Sequence, residues 1–361
     1  MKVHKIVSAF LIAGLVAGSL CGCADSYTSR RRTIGSIADS NDTNQVRAAE
    51  PELVLTIASN QTSADNPYHF GLETFKEIVE ELSGGTIQVV CSDGDLSEDE
   101  AELLSMLDDG QVQMVVVSPG HMTSAGVAEV DMLSLLYLFD GFSHWESAMD
   151  GEFGSAMSDI ILEKTNNQYR IMGYWSAGVR DYYGKAPITT PEDIAGFTIR
   201  TQTSGVVYDY WTSVGAEPVS IGWGDLYDVL NSGGVDSAEN DYTNLMLKDH
   251  HKTANGKYIC ETHHDYTTRL FIMNGELYDS LTTEQKNWVD TASLAATLQE
   301  RAVTYEMLDS SKERCIADGA IVTDYEDIDI EAFKAPAIEI QNSYAEANGL
   351  TTYLDMIRRA Q

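Results

Sequence analysis

The chain has 361 residues and a formal net charge of −33, from 56 acidic and 23 basic side chains. So acidic a protein repels nucleic-acid phosphates, which excludes a nucleic-acid-binding function. The length and a hydrophobic fraction of 43% are sufficient for two lobes, each with its own core.

The N-terminus reads as a secretory signal followed by a lipidation site. Lys2 and Lys5 precede an apolar stretch over 6–20 that is too short for a comfortable membrane span. The string LCGC that follows resembles the lipobox of bacterial lipoproteins, in which Cys23 would become the acylated residue. We therefore expect a lipoprotein signal peptide over 1–22, with a soluble secreted protein cut near the same place as the alternative.

The segment 23–52 is polar and poor in large apolar residues, which predicts a flexible tether. No later segment contains the run of about twenty apolar residues that a membrane-spanning helix needs. Everything after Cys23 is therefore expected on the outer face of the cytoplasmic membrane, held there by the lipid.

The folded part opens with a strand pattern, VLTIAS, and then alternates helices and strands. The first helix is predicted from apolar residues that share one face, namely Leu72, Phe75, Ile78, Val79 and Leu82. Strands TIQVVC and VQMVVVS follow, separated by a helix, which is the rhythm of a largely parallel α/β sheet. Ligands bind beyond the carboxyl ends of strands in such sheets, so Asn60 and Ser118 are candidate binding residues.

A second block repeats this pattern, from a strand YRIMGYW and a loop, through FTIRTQ, to a strand VDSAEN. From Leu281 the sequence predicts an unusually long helix that ends near Gly319 and starts with a capping box between Thr282 and Gln285. Such a helix could serve as a spine that touches both lobes. Two helices with a bend near Thr297 are the alternative.

Arginine is the candidate ligand-binding residue type. Between Ile171 and Leu247 only Arg180, Lys185 and Arg200 are basic, and Arg200 lies in the apolar string FTIR. A guanidinium stays charged and meets a carboxylate with two parallel hydrogen bonds. The alternative for both arginines is a structural ion pair with a local acid.

Three further residues are candidates for the same site. Asn240 can both donate and accept hydrogen bonds, and Trp175 and Trp223 could form walls of a cleft. For each of them a purely structural role in the core is the alternative.

The order of the segments resembles the solute receptors of tripartite ATP-independent (TRAP) transporters, the DctP-type family, from about Leu53 to the C-terminus. The strings that carry the resemblance are ELSGGTIQVV, DGQVQMVVVSPG, MGYWSAGVRDYYG, ITTPEDIAGFTIRTQTS, VGAEPVSIGWGDLYDVLNSGGVDSAEN and the helix after LTTEQK. The resemblance implies a two-lobed, periplasmic-binding-protein-like (Venus flytrap) fold. We divide it into lobe I, over 53–175 and 265–305, and lobe II, over 176–264 and 306–361.

The resemblance also implies a function. Family receptors hold a ligand carboxylate with the arginine that matches Arg200, and the positions that match Arg180, Asn240 and Trp223 contribute to the same site. A membrane permease driven by an ion gradient would be the partner. The chain departs from the family pattern at LLYLF (135–139) and in the acidic loop CSDGDLSED, so the identity of the acid stays open.

Motifs for catalysis or metal binding are missing from the sequence. Ser176 lies in GYWSAG rather than in a G-x-S-x-G nucleophile elbow, and no phosphate loop or H-E-x-x-H motif occurs. Adjacent side chains on an extended segment point apart, so neither histidine doublet, at 250–251 or 263–264, makes a two-ligand metal pair. We expect these histidines to be solvated loop residues. Whether Cys91, Cys260 and Cys315 form a disulfide is left open.

We therefore predict a monomeric receptor for a small organic acid that is not an enzyme and needs no cofactor. A co-receptor for a membrane sensor kinase is the alternative.

Overall fold

Nine strands form one mixed sheet in the computed structural model, which describes residues 51–202 and 204–360. They are β1 (Leu53–Ser59), β2 (Ile87–Asp93), β3 (Met114–Val117), β4 (Tyr169–Gly184), β5 (Thr198–Arg200), β6 (Glu217–Val219), β7 (Ser237–Asn240), β8 (Tyr258–Asn274) and β9 (Ile321–Thr323). The strand order is β2-β1-β3-β8-β4-β7-β5-β6, and β9 pairs with β8. The predicted α/β class is confirmed.

Twelve α-helices surround this sheet within the same described ranges. They are α1 (Pro67–Leu82), α2 (Glu100–Asp108), α3 (Gly120–Ser124), α4 (Phe142–Met149), α5 (Glu152–Lys164), α6 (Gly205–Ser213), α7 (Leu226–Ser232), α8 (Tyr242–Leu247), α9 (Gly275–Ser280), α10 (Thr283–Ala317), α11 (Ile330–Ala347) and α12 (Thr351–Arg359). None of these helices combines the length and the apolar character needed to cross a membrane. The predicted signal peptide, Cys23 and residues 23–50 of the predicted tether lie outside the described residues.

Two sets of parallel strands make up the ends of the sheet. β1 pairs in parallel with β2 and β3, and β5 pairs in parallel with β6 and β7. On the first set, α1 buries Leu72, Phe75 and Val79 in one cluster with residues of β1 and β2, as its periodicity predicts, although Leu82 is exposed. Each such side chain contributes about 1.5–3 kcal/mol when it is removed from water.

The long strands β4 and β8 join the two sets. One half of their antiparallel ladder borders β3 and the other half borders β7. The ladder is irregular between Ser176 and Val179, where Gly178 adopts φ +76°, a conformation that favours glycine. The loop expected after Trp175 is therefore wrong: β4 continues to Gly184 because this stretch pairs with β7 and β8.

The predicted spine helix is confirmed as α10, a single helix of 35 residues. The capping box between Thr282 and Gln285 starts it, and the helix runs through Thr297 without a break, so the two-helix alternative is wrong. It packs against α1, β4 and α8, and thus contacts elements next to both strand sets. Arg301 fixes it further through hydrogen bonds to the Tyr174 carbonyl and the Asp150 carboxylate.

The C-terminal helix α12 corrects one part of the lobe assignment. Leu354 and Ile357 are buried in the same cluster as Met157 and Ile161 of α5. Segment 351–359 therefore packs with residues assigned to lobe I, although the sequence placed it in lobe II, because its apolar face matches that of α5. Helix α11 packs on α6, and its Ala345 joins the same cluster as α12.

Glu300 attaches α10 to β4 through a buried carboxyl group. Its Oε2 accepts a hydrogen bond from the Ser176 N–H at 3.0 Å, and its Oε1 lies 3.1 Å from Oγ1 of Thr304. The Thr304 hydroxyl is also 3.2 Å from the Ser176 carbonyl oxygen, and its one hydrogen can serve only one of these acceptors. A protonated Glu300 satisfies both contacts, since it donates to Thr304 while Thr304 donates to Ser176.

Burial raises the pKa of Glu300 to about 8, against the hydrogen bonds from Ser176 and Thr304 and the charge of Arg301, which lower it. The folded protein therefore keeps a proton that the unfolded chain releases near pH 4.5. Between that pH and about pH 8, the free energy of unfolding should fall as the pH rises.

We predict that Glu300→Gln removes this pH dependence, because glutamine mimics the neutral acid. Its amide group can accept from Ser176 and donate to Thr304. Urea unfolding at pH 5 and pH 8 should show a loss of stability in the wild type that is larger than in the variant, on the order of a few kcal/mol. Parallel pH curves for the two proteins would contradict a protonated Glu300.

Candidate functional site

A cavity of about 500 Å³ lies where the carboxyl ends of the two parallel strand sets face each other. We call it the central cavity. Its walls include Asn60 after β1, Ser118 after β3, Arg200 at the end of β5, Ser220 after β6 and Asn240 at the end of β7. The edge that the sequence pattern predicted for ligand binding is therefore the edge that borders this cavity.

Arg200 presents a free pair of donors to the central cavity. Its Nε donates to the Ile221 carbonyl at 3.0 Å, whereas its two Nη atoms form no hydrogen bond with any described residue. No carboxylate in the described part of the chain forms an ion pair with it, and its guanidinium lies 5.8 Å from the centre of the Trp223 ring. Burial, followed by the nearby charge of Arg180, lowers the pKa of Arg200. Both effects disfavour the charged form of Arg200, whereas an anion beside it would favour that form.

Arg180 forms its hydrogen bonds with other residues of the protein. Its Nε bonds the Glu239 carboxylate, its Nη2 the Glu239 carbonyl, and its Nη1 donates to Oδ1 of Asn240 at 3.1 Å. Burial alone would raise the pKa of Glu239, but the charge of Arg180 and a hydrogen bond from His264 lower it to about 2. The structural ion pair that the sequence left as the alternative for Arg180 is thus present, although Arg180 also borders the cavity.

The amide groups that line the cavity have their oxygens occupied. Asn240 Oδ1 accepts from Arg180 and from the Asp241 N–H, and Asn60 Oδ1 accepts from Nε2 of Gln61. Each amide nitrogen is left without a hydrogen bond to a described residue. Both side chains can therefore donate to a ligand.

The two candidate tryptophans have different positions. Trp223 lines the cavity, and its Nε1 has no hydrogen-bond partner in the described part of the chain. Trp175 is fully buried, packs on Phe271, and donates from Nε1 to Thr297 at 3.1 Å. The interpretation of Trp175 as a cleft wall is therefore wrong, because α1, Phe271 of β8 and α10 enclose its ring.

Arg269 on β8 also lines the cavity, and the sequence interpretation missed it. Its Nη1 donates to Gln202 Oε1 at 3.2 Å and to the Thr268 carbonyl at 3.1 Å. Its Nε is buried without a partner among the described residues. The signal in the sequence is the single arginine of the string ETHHDYTTRL.

Glu100 and His121 form a second polar pair on the cavity wall. Their Oε2 and Nε2 atoms are 3.2 Å apart, and the Ser118 N–H donates to the same Oε2 at 2.7 Å. Burial raises the pKa of Glu100, but the bond from His121 and the charge of Arg269 lower it to about 2. Burial lowers the pKa of His121, and Glu100 more than reverses this effect, so the pair favours its charged form.

The histidine doublets are not solvated loops, which corrects the expectation. His250, His251 and His264 are at most 3% exposed; His250 bonds the Tyr183 hydroxyl at 2.9 Å, and His264 bonds Thr262 at 2.7 Å. His264 lies on β8 in the sheet, and His250 and His251 lie in a short 3-10 helix over 250–252 that is packed into the core. The three cysteines whose pairing was left open, Cys91, Cys260 and Cys315, are free thiols.

Known proteins match nearly all of the described chain. A family model described as bacterial extracellular solute-binding protein, family 7 (DctP), matches residues 58–347. The chain belongs to this family. It is thus a solute receptor of the TRAP type, and extracytoplasmic, as the resemblance implied.

Two relatives illustrate the match in sequence and structure. The C4-dicarboxylate-binding periplasmic protein DctP of Rhodobacter capsulatus is 25% identical over 250 residues, 69% of this chain and 73% of that protein. A TRAP periplasmic solute-binding protein of Sulfitobacter sp. NAS-14.1, solved with bound β-D-galacturonate, is 27% identical with a TM-score of 0.78. That alignment covers 85% of this chain and all of the other. The receptor fold predicted from the sequence is thereby confirmed.

We predict that Glu239→Gln destabilises this receptor by about 3–5 kcal/mol, because it leaves the Arg180 charge buried without a partner. Urea unfolding at pH 7 measures the change. Asp249→Asn is the control, since it breaks an exposed pair with Lys252 and asparagine tolerates the φ of +56° at this position. Equal, small effects of the two changes would contradict the importance of the buried pair.

Proposed function

We propose that the receptor captures a small organic acid in the central cavity and holds its carboxylate on Arg200. The observation that carries this proposal is that Arg200 lines the cavity while its two Nη atoms have neither an acid partner nor a hydrogen bond among the described residues. Two N–H donors in one plane match the two oxygens of a carboxylate.

Relatives at comparable identity support an acidic ligand. The Sulfitobacter protein binds a uronate, and a relative from Escherichia coli that is 25% identical over 280 residues is named for binding 2,3-diketo-L-gulonate. The R. capsulatus relative is named for C4-dicarboxylates. All three ligands carry a carboxylate at neutral pH, which is the feature that Arg200 would recognise.

Neutral polar groups complete the proposed site. The amide nitrogens of Asn60 and Asn240 and the Ser118 side chain would donate to hydroxyl or carboxylate oxygens of the ligand, and Trp223 would cover it. Arg180 would act mainly by orienting Asn240. Opening and closing would occur where β4 and β8 pass between the two lobes, with the boundaries predicted from the sequence except for α12.

The remaining parts of the proposal concern the partners. The receptor would be tethered by a lipid on Cys23, would work as a monomer without a cofactor, and would release the ligand unchanged to the permease of a TRAP transporter. Family membership and the leader sequence support these statements.

We predict that Arg200→Ala lowers the affinity for the acid by about 100- to 1,000-fold or more, because the enclosed carboxylate loses its counter-charge. A thermal-shift screen with uronates, C4-dicarboxylates and neutral sugars identifies the acid, and titration calorimetry measures both proteins. Arg314→Ala is the control, since Arg314 is an exposed arginine on α10. Undiminished binding by folded Arg200→Ala, or binding of neutral sugars alone, would refute the carboxylate proposal.

The lipid anchor gives a separate prediction. Wild-type protein expressed in a bacterium that processes lipoprotein signals should partition into detergent and membranes, whereas Cys23→Ser should appear in the aqueous fraction. Cys21→Ser is the matched control and should stay with the membrane. If the wild type is itself aqueous, the protein is a soluble secreted receptor.

A further inference from the structure

Arg269 has one complete edge of its guanidinium group without a protein partner. Both of its hydrogen bonds to described residues start from Nη1. Nε and Nη2, which lie together on the other edge, bond to no described residue, and Nε is buried. Such an edge offers two parallel N–H donors, the geometry that binds a carboxylate side-on.

The acids near Arg269 do not occupy this edge. Glu100 is engaged by His121 and by the Ser118 N–H, and Asp265 accepts from Thr267 at 2.9 Å and from Nε2 of Gln202 at 3.4 Å. Glu300 is held by β4 and Thr304. No carboxylate in the described residues forms an ion pair with Arg269, so its charge is balanced only from a distance.

Arg269 and Arg200 lie in different parts of the central cavity. Arg200 ends β5 beside Trp223, whereas Arg269 lies on β8 near Glu100 and His121, and β4 and β7 separate the two strands in the sheet. Both arginines border the same 500 Å³ cavity. The cavity therefore has two separate cationic groups, each with a free pair of donors.

We propose that Arg269 binds a second carboxylate, so that the ligand is a dicarboxylic acid with an acid group at each end. This proposal rests on the proposed function, in which Arg200 holds the first carboxylate. At this end of the ligand a carboxylate fits better than a phosphate. Glu98, Asp99 and Asp225 line the rest of the cavity, and they repel a phosphate group with two charges more strongly than a carboxylate group with one. Hydroxyl groups between the two ends would meet the donors of Asn60 and Asn240.

The test uses pairs of acids that differ at one end only. Each aldaric or other dicarboxylic acid of four to six carbon atoms is compared with the acid in which one carboxylate is replaced by a hydroxymethyl group, such as galactarate with galactonate. We expect the wild type to prefer at least one dicarboxylate by about ten- to a hundredfold, the effect of a charge-assisted hydrogen-bond pair. Arg269→Gln should lose this preference while its affinity for the monocarboxylate changes little.

Two further variants make the result decisive. Arg170→Gln is the matched control: Arg170 lies on β4 but stacks on Tyr278 in a different cavity, so the preference should persist. Arg269→Lys should regain part of the preference, which a purely structural arginine would not explain. A wild type that binds monocarboxylates as tightly as dicarboxylates, or a preference that survives in Arg269→Gln, overturns the inference alone. Failure of every acid to bind contradicts the proposed function as well.

Discussion

The buried ion pair between Arg180 and Glu239 organises the polar wall of the cavity. Placing two charges in the interior costs several kcal/mol each, so the pair is stable only because its hydrogen bonds are nearly complete. The same two residues orient Asn240 through Arg180 and hold the Gln202 N–H, which Glu239 Oε1 accepts at 3.2 Å. Gln202 in turn accepts from Arg269. The pair thus positions Asn240 and Gln202, and it neutralises Arg180 but not Arg200 or Arg269.

This pair lies where the chain passes from one strand set to the other. Arg180 follows the irregular part of β4, and Glu239 is on β7, the first strand of the second set to pair with β4. Gly178 absorbs the change of direction, and a side chain there would meet Asp241 at 2.8 Å as well as strain the backbone. The ion pair therefore ties β4 to β7 directly after the bend at Gly178.

The sequence predicted those parts of the structure that depend on local pattern. Helical periodicity and capping predicted α1 and the single long helix α10, and alternating elements located the loops at Asn60 and Ser118. An arginine inside an apolar string identified Arg200. Residues whose environment depends on distant segments were harder to predict. Trp175 has the pattern of a cleft residue, but α10 packs on it. His264 has the pattern of a solvated loop residue, but it lies on the central strand β8. Arg269 was missed for the same reason, since only strand pairing brings it to the cavity.

The charge distribution explains how such an acidic protein can attract acids. The formal charge of the chain is −33. At physiological salt, mobile ions screen the interactions of exposed charges beyond roughly 8 Å. Inside the cavity screening is weak, and the charge that a ligand meets is set by a few neighbours. There Glu239 neutralises Arg180, and Glu100 and His121 balance each other, which leaves Arg200 and Arg269 as the cations without a close partner among the described residues. The surface charge therefore governs solubility, whereas in our proposals these two guanidinium groups select the anions that the cavity holds.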